Sequence, residues 1–325
     1  MRAVRCHAYG PPDGLVIEDM PTPEPARGEV VVDVRSASVN FPDVLVLRDE
    51  YQISVPVPFT PGSEFAGTVS AVGEGVTEYQ VGDRVFWAGL MGAFAEQVTA
   101  PVASLTRIPD AVGFEEAASF GVVYLTAYHA LRSVAQVQAG EWVVVLGAAG
   151  GVGLAAVELA QQLGGRVLAA ASTDEKLEVC RARGAEATVN YDTEDLKARA
   201  RELTDGGGDV VIDPVGGTYA EQALRAMRWR GRFVTVGFAS GEIPRIPLNL
   251  VLLKGMAVMG FEFGSFVTKE PELARRDRDE VMTLLAEGRI HPHVSNVYPL
   301  SEAAAAINEV AERRAMGKVL IDPAL

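Results

Sequence analysis

A glycine-rich segment at residues 147–153 has the residue types and spacing that most clearly indicate chemistry. It carries the pattern Ala148-x-Gly150-x-x-Gly153 and follows an apolar run at 142–146 that predicts a short strand. Apolar residues at helical spacing come next and end at Gly164. A strand, a tight turn and a helix in this order bring backbone N–H groups and the positive helix end to one point, where a pyrophosphate binds. The segment therefore predicts a dinucleotide site, in which Gly150 admits the phosphates and Gly153 lets helix and strand pack closely.

The residues after the next predicted strand, 166–171, indicate which dinucleotide binds. In NAD-binding proteins an acidic residue about 20 residues further on holds the ribose 2′-hydroxyl. Here the strand ends in Ser172 and Thr173, and Asp174 falls where a helix begins, a place where acids commonly cap the first turn. Lys176 projects from that turn and is either a phosphate ligand or an ordinary solvated helix residue. A hydroxyl and an ammonium without a carboxylate suit a 2′-phosphate, so the sequence favours NADPH over NADH.

The elements that would position these residues alternate between strand and helix. Apolar strands are predicted at 142–146, 166–171, 187–190, 209–213, 232–236 and 256–260. Helical stretches lie between the first five of them, such as 174–183 and 218–229. This alternation predicts a parallel sheet covered on both faces, and so an α/β doubly wound domain over residues 123–266.

The first part of the chain, residues 1–122, has a different pattern. Short alternating runs punctuated by Gly and Pro predict strands at 29–34, 65–72, 83–86 and 93–98. They indicate a mainly antiparallel, barrel-like β domain. The tail holds two predicted helices and a strand, at 275–287, 301–314 and 317–322. Because that tail is too small to form a domain, residues 267–325 are assigned to the first one.

Composition excludes several classes of function. The chain has 29 Lys and Arg against 43 Asp and Glu, a formal net charge of −14, and no basic run, so nucleic acid is not an expected partner. The N-terminus lacks a signal peptide's apolar core and the cysteines, Cys6 and Cys180, lie far apart, which predicts a reduced, cytoplasmic location. The longest apolar stretch, 248–263, is too short and too interrupted to span a membrane. It is either a sheet-edge strand at a dimer interface or plain core.

Five motifs form an ordered set that covers essentially the whole chain. They are Asn40-Phe-Pro-Asp43, Pro61-Gly-Ser-Glu-Phe-Ala-Gly67, Gly121-Val-Val-Tyr-Leu-Thr-Ala-Tyr-His129, Ala148-Ala-Gly-Gly-Val-Gly153 and Asp213-Pro-Val-Gly-Gly217. With these motifs the chain resembles the medium-chain dehydrogenase/reductase superfamily, and within it the zinc-free quinone oxidoreductases related to zeta-crystallin. The resemblance implies a GroES-like catalytic domain, a Rossmann domain that binds NADPH, and a homodimer formed through the Rossmann sheets.

Two departures from the zinc alcohol dehydrogenases of this superfamily bear on the chemistry. The resemblance places Asn40 where their catalytic metal has a Cys ligand and Ser63 where it has a His ligand. Of the residues of their metal site, this chain retains only Glu64. Because zinc prefers Cys, His and carboxylate ligands, no metal is expected. Oxidation of an alcohol is then not expected, whereas a quinone or an activated double bond accepts hydride readily.

The resemblance also assigns roles to single residues. Asn40, Asp43 and Tyr51 would form the catalytic wall where substrate meets nicotinamide, in a cleft between the domains. Each residue also has a possible structural role instead of a catalytic one. Asn40 can be a turn residue before a proline, Asp43 can be a helix cap, and Tyr51 can be a half-buried aromatic residue. The cofactor residues implied are Thr126 and Gly237-Phe238 near the nicotinamide and its ribose, Ala149, Gly150, Gly151 and Val152 at the pyrophosphate, and Ser172, Lys176, Tyr191 and Arg314 around the 2′-phosphate.

Three functions remain open at this point. The first is NADPH-dependent reduction of a small-molecule quinone by metal-free hydride transfer. The second is reduction of an enone, a 2-alkenal or an acryloyl-CoA-type double bond, for which Tyr51 is the one proton donor that the sequence suggests. The third is an NADPH-binding structural or RNA-binding protein of the crystallin type, which the acidic charge disfavours.

Overall fold

Alternating apolar and polar residues build a mainly antiparallel sheet from the N-terminal part of the chain. In the computed structural model, which describes residues 1–325, this part contains β1 (Arg2–Arg5), β2 (Val16–Asp19), β3 (Glu29–Val39), α1 (Phe41–Leu47), β4 (Glu64–Val72), β5 (Arg84–Ala88), β6 (Gln97–Pro101), β7 (Leu105–Arg107) and α2 (Phe114–Ala118). The long strand β3 pairs with β4 on one side and with β6 near its start. The run predicted at 93–98 forms its strand a few residues later, at Gln97–Pro101.

The middle of the chain folds as a six-stranded parallel sheet with helices. Its elements are α3 (Val123–Tyr128), β8 (Trp142–Leu146), α4 (Gly151–Gln162), β9 (Arg166–Ala171), α5 (Asp174–Ala182), β10 (Ala187–Asn190), α6 (Leu196–Leu203), β11 (Gly208–Asp213), α7 (Gly217–Ala226), β12 (Met227–Thr235), α8 (Leu248–Lys254), β13 (Ala257–Gly260), α9 (Phe263–Lys269) and α10 (Pro271–Ala286). The strand order is β10-β9-β8-β11-β12-β13, all parallel, which is the doubly wound order of Rossmann folds. The predicted α/β class is confirmed.

The end of the chain returns to the first sheet through β14 (Val294–Pro299), α11 (Ala303–Ala311) and β15 (Lys318–Asp322). β15 pairs antiparallel with the second half of β3, so Val319 lies opposite Val39. This pairing carries the start of the last strand to the end of β3, where α1 begins. The first sheet then has the order β14-β15-β3-β4-β5-β7, with β6 also on β3.

The chain divides into two compact units, Met1–Val122 with His291–Leu325, and Val123–Ile290. The predicted boundary at 266/267 thus differs from the division at 290/291. The reason is that α10 packs on α3 and the π-helix that follows it. His129 Nδ1 lies 2.8 Å from Asp277 Oδ2, and both side chains are buried. Tyr128 Oη also donates to Glu280 Oε2 across 2.7 Å.

One prediction in the second unit needs correction. The helix predicted at 218–229 ends at Ala226, because Met227 turns to extended backbone and pairs with Gly208 as the first residue of β12. The apolar stretch 248–263 buries only some of its side chains, among them Leu250, Met256 and Phe261. It forms α8 and then the edge strand β13, and the side chains of Leu248 and Leu252 are 77% and 80% exposed. No helix of the protein has the length and apolar character needed to cross a membrane.

Candidate functional site

The glycine turn connects β8 to α4 and leaves its outer face open. Gly150 is the residue that precedes the helix, and it provides no side-chain cap for the first amides. The first N–H groups of a helix have no partner within it, so the amides of Gly151 and Val152 are available to an anion. A Cβ on Gly150 would meet only the Gly147 carbonyl oxygen, at 3.4 Å, whereas a Cβ on Gly153 would lie 2.2 Å from that oxygen. Gly153 therefore serves packing, and Gly150 keeps the approach to the amides open. Ala149, in the same turn, is buried.

The turn from β9 into α5 brings a cation and a hydroxyl together. Thr173 caps α5 by accepting the Lys176 N–H at 3.3 Å. The Lys176 side chain turns back, and its Nζ donates to Ser172 Oγ across 3.3 Å. The first turn of α5 contains two acids, Asp174 and Glu175. The Asp174 carboxylate is bound by Asn190, whose Nδ2 donates to Asp174 Oδ1 at 2.8 Å. The arrangement presents an ammonium and a hydroxyl, and it keeps the Asp174 carboxylate in a hydrogen bond at the end of β10.

Tyr191 follows β10 directly and is half-buried. Its ring centroid lies 4.1 Å from that of Tyr219, with the planes tilted by 36°. Tyr219 in turn donates from its hydroxyl to Asp192 Oδ1 at 2.8 Å. The two rings together form an aromatic surface next to the end of β10.

The loops after β11 and β12 lie at the same carboxyl edge of the sheet as the glycine turn. Asp213 is buried at the end of β11, and its Oδ1 accepts the N–H groups of Val215 and Gly216, each at 2.8 Å. Burial raises the pKa of this carboxyl, against the lowering effect of the two amides. The loop approaches the glycine turn so closely that a Cβ on Gly147 would lie 2.6 Å from Val215 Cγ2.

Three predicted nicotinamide residues belong to the second unit. Thr126 is a buried residue of α3. Gly237 and Phe238 follow β12, and the Gly237 amide donates to the Asp213 carbonyl at 3.4 Å. The Phe238 ring is partly exposed, and a Cβ on Gly216 would lie 2.9 Å from it. Gly237 and Phe238 thus line the carboxyl edge of β12.

The first unit contains a buried polar cluster around Asn40. Asn40 Nδ2 donates to Glu64 Oε1 at 2.8 Å and to Ser63 Oγ at 3.1 Å. Lys318 Nζ donates to Asn40 Oδ1 at 2.6 Å and to Glu64 Oε1 at 2.9 Å. All four residues are buried: Asn40, Ser63 and Lys318 are each 3% exposed, and Glu64 is 1% exposed. The cluster is thus a buried ion pair between Lys318 and Glu64. The Asn40 amide bonds to both of its members and to the Ser63 hydroxyl.

Asp43 joins this cluster through the start of α1. Its Oδ2 accepts the backbone N–H of Asn40 at 2.7 Å, which forms a reciprocal cap on the helix. Burial raises the pKa of Asp43 to about 7, although the Asn40 amide and the charge of Lys318 favour the ionised form. Tyr51 follows α1 and packs, half-buried, against the core of the first unit. Asn40 and Asp43 therefore act as cap residues as well as members of the cluster.

Arg314 lies just after α11 in the first unit, and its Nε donates to Glu312 Oε2 at 2.7 Å. This pair is exposed, with side-chain exposures of 58% and 59%. Ser172, Lys176 and Tyr191 belong to the other unit.

Two residues of these sites were not among the predicted site residues. Lys318 was assigned only to the last strand, yet a lysine at the head of the apolar run Val319 to Ile321 indicates a buried charge that needs a carboxylate partner. Asn190 was the last residue of a predicted strand, with no local sign of its bond to Asp174. Both contacts depend on strands that meet only in the folded chain.

Comparison with known proteins gives the following matches. Residues 26–110 match the family model described as an alcohol dehydrogenase GroES-like domain, and residues 151–286 match that of a zinc-binding dehydrogenase. The chain is 39% identical over 323 residues to quinone oxidoreductase-like protein 2 of Bos taurus, with 98% of the chain and 92% of the relative covered. It is 36% identical to a quinone oxidoreductase of Pseudomonas aeruginosa, with 99% of both covered. The crystal structure of Escherichia coli quinone oxidoreductase complexed with NADPH superposes with a TM-score of 0.92 at 30% identity, covering 99% of this chain and 100% of that one.

One of these family descriptions names zinc, and the cluster around Glu64 does not fit that ion. Zinc takes thiolate, imidazole and carboxylate ligands, and here Glu64 is surrounded by an amide, a hydroxyl and an ammonium. The Lys318 ammonium already supplies the positive charge that faces the carboxylate. Over residues 1–325, no group of three or more His, Cys, Asp or Glu side chains is placed to hold a metal ion. The chemistry of this cluster therefore depends on hydrogen bonds and one fixed ammonium.

Proposed function

Because this chain belongs to the medium-chain dehydrogenase/reductase superfamily, among its quinone oxidoreductase-like members, we propose that it is an oxidoreductase that reduces quinones with NADPH. The contact between Lys176 and Ser172 is the single observation that carries the choice of cofactor. It offers a cation and a donor where a 2′-phosphate would lie, and the nearby Asp174 carboxylate is already bound by Asn190. Charge-assisted bonds of this type are the strong ones in phosphate recognition.

The glycine turn supports the same proposal. Its face over Gly150 is open, and the amides of Gly151 and Val152 begin a twelve-residue helix, α4. We propose that these amides hold the pyrophosphate, that Tyr191 lines the 2′-phosphate site, and that Thr126, Gly237 and Phe238 hold the nicotinamide and its ribose. Bound NADPH would supply the hydride.

We propose that the protein's own contribution to the reaction is positioning. Asn40, Asp43 and Tyr51 would form the wall of the substrate site, and the buried bonds of Asn40 would keep that wall rigid. A quinone needs no Lewis acid to accept hydride, and the donor set around Glu64 provides none. The hydride would bring one hydrogen to the hydroquinone, and the one remaining proton would come from water.

A screen of electron acceptors tests this function. NADPH oxidation at 340 nm is followed with a panel of quinones, 2-alkenals, enones and acryloyl-CoA, and Lys176→Ala serves as a variant with a weakened cofactor site. We expect turnover with quinones that falls in the variant at low NADPH and recovers at high NADPH. Turnover confined to enals, enones or the thioester would identify a double-bond reductase instead. Tight NADPH binding without any turnover would identify a binding protein.

We also propose that the protein is a homodimer joined at the β13 edge. A parallel sheet usually has both faces and edges covered, but β13 pairs only with β12. The adjoining α8 exposes Leu248, Leu252 and Leu253, which are 68–80% accessible, and such apolar patches mark protein contacts. A second copy fits because strand edges and leucine faces are self-complementary about a two-fold axis. A cytoplasmic location is proposed on the two buried, unpaired thiols of Cys6 and Cys180.

A further inference from the structure

Lys318 is a buried ammonium whose three donors are all used. Its Nζ lies 2.6 Å from Asn40 Oδ1, 2.9 Å from Glu64 Oε1 and 3.4 Å from the Val39 carbonyl oxygen. An ammonium has three N–H donors and no acceptor. With 3% exposure it has no access to water, and Glu64 alone balances its charge with a direct ion pair. The strand pairing of Val319 with Val39 holds the base of the lysine at this point.

This ammonium determines which way the Asn40 amide points. The two ends of an asparagine amide have nearly the same shape, but only the oxygen accepts a hydrogen bond. Because Lys318 can only donate, the Asn40 oxygen must face it. The Nδ2 group is then directed at Ser63 Oγ and Glu64 Oε1. A neutral side chain at position 318 would remove that requirement.

The same ion pair reaches the segment that leads into the second unit. Glu64 Oε1 accepts from Lys318 and Asn40, and its Oε2 accepts the backbone N–H of Val122 at 2.8 Å. The approach is close, since a Cβ on Gly121 would lie 3.2 Å from Glu64 Oε2. The strand β15, the start of α1, the start of β4 and the peptide at 121–122 are thereby tied to one charge pair.

We propose that Lys318 is a positioning residue for hydride transfer, which acts by fixing the Asn40 amide and the Glu64 carboxylate. This inference rests on the proposed function, in which Asn40 lines the substrate site. Lys318 contacts neither substrate nor cofactor in this scheme. Its loss would leave cofactor binding intact and slow the chemical step, because small misplacements of groups at a reacting centre cost about tenfold or more in rate.

The test separates positioning from charge balance. Lys318→Met alone leaves Glu64 as an unpaired buried charge, which is strongly destabilising and can prevent folding. The double variant Lys318→Met with Glu64→Gln removes both charges, and a glutamine satisfies either orientation of the Asn40 amide. We expect it to regain the melting temperature and the NADPH KM of the wild type within about twofold, with kcat still reduced about tenfold or more. Recovery of kcat together with stability would overturn the proposal, since Lys318 would then only balance Glu64.

A matched control is available in the second unit. Lys254 Nζ also donates to three oxygens, the carbonyls of Leu224, Arg225 and Met227 at 3.3, 2.6 and 2.7 Å. Lys254→Met should leave kcat unchanged, and an equal loss of kcat in this control would also overturn the proposal.

A second readout does not depend on turnover. Side-chain amide resonances of Asn40, assigned by comparison with Asn40→Asp, should show slow hydrogen exchange in the wild type and fast exchange or two orientations in the double variant. Unchanged resonances would contradict the role of Lys318. If the wild type reduces no quinone, the proposed function fails, while this measurement still decides whether Lys318 orients the amide.

Discussion

The Asn190 amide, at the end of β10, and the Asp174 carboxylate, at the start of α5, are joined by a 2.8 Å hydrogen bond. Asp174 opens α5 two residues before Lys176, so its charge lies in the same helical turn as the proposed phosphate ligand. The bond to Asn190 directs that carboxylate to the end of β10. We propose that this bond, between two residues that are not ligands in the proposed site, affects which cofactor is accepted.

Asn190→Ala should lower the preference for NADPH over NADH. Without the amide, the Asp174 carboxylate is free to turn toward the 2′-phosphate and repel it. We expect the ratio of the two Kd values to fall about fivefold, equivalent to roughly 1 kcal/mol for a partly exposed charge. Fluorescence titration with both cofactors measures it. Adding Asp174→Asn should restore the ratio; if it does not, the carboxylate is not the cause.

Lys176→Ala should weaken NADPH binding by about 1–3 kcal/mol, the value of a hydrogen bond to a charged group, and leave NADH binding nearly unchanged. The reason is that only NADPH carries the phosphate that the ammonium would bind. Isothermal titration with each cofactor gives the two Kd values, and Lys197→Ala on the exposed face of α6 is the matched control. Equal losses of binding free energy for NADPH and NADH would contradict the assignment of Lys176 to the 2′-phosphate.

Gly150→Ala should weaken cofactor binding, whereas Gly153→Ala should lower the stability of the fold. At Gly150 the backbone φ is −76° and the nearest atom to a new Cβ is 3.4 Å away, so the fold should tolerate the methyl group. That methyl would stand over the amides proposed for the pyrophosphate, and we expect NADPH Kd to rise at least about tenfold. At Gly153 the new Cβ would lie 2.2 Å from a carbonyl oxygen, and we expect a loss of about 1–3 kcal/mol in the free energy of unfolding.

Urea unfolding and cofactor titration on both variants check this pair. A normal cofactor Kd in folded Gly150→Ala would show that the phosphates bind elsewhere.

Asp43→Asn should change how stability depends on pH. Burial raises the pKa of Asp43 to about 7 in the folded protein, against about 3.9 for an aspartate in the unfolded chain. The stabilising contribution of its protonated form is therefore complete below pH of about 4 and is lost as the pH rises toward 7. Asparagine keeps an oxygen for the Asn40 N–H and has no proton to lose.

The measurement is urea unfolding of the wild type and Asp43→Asn at several pH values between 4.5 and 8. We expect the wild type to lose stability relative to the variant up to about pH 7, and the difference to stay constant above it. A difference that does not vary with pH would show that Asp43 ionises normally.

Leu252→Glu should convert the proposed dimer into monomers. The side chain is 80% exposed on α8, beside the edge strand β13, and a charge there would be buried without a partner in the paired state. Light scattering coupled to size-exclusion chromatography gives the mass. Val81→Glu, at a residue of the first unit that is 62% exposed, is the control and should remain dimeric. A wild type that elutes as a monomer would refute the interface.

The doubly wound unit was predictable because its signals are local. The strand at 142–146, the glycine turn and the helix after it are predicted by the spacing of apolar residues and by the glycines, all within about twenty residues. The structure has β8 and α4 at those places. The end of α7 was not predictable in this way, because Met227 takes extended backbone to pair with Gly208 in another strand. The division at 290/291 likewise depends on the buried contact between His129 and Asp277.

By itself, the sequence determined the fold class, the glycine turn and the residue types at 40, 63 and 64, since these are matters of composition and short-range pattern. Only the tertiary structure decided what surrounds Glu64. Lys318 is 254 residues from Glu64 and 278 from Asn40 along the chain, and no local period connects them. The antiparallel register of β15 on β3 brings them together, and burial then requires the ammonium and the carboxylate to pair.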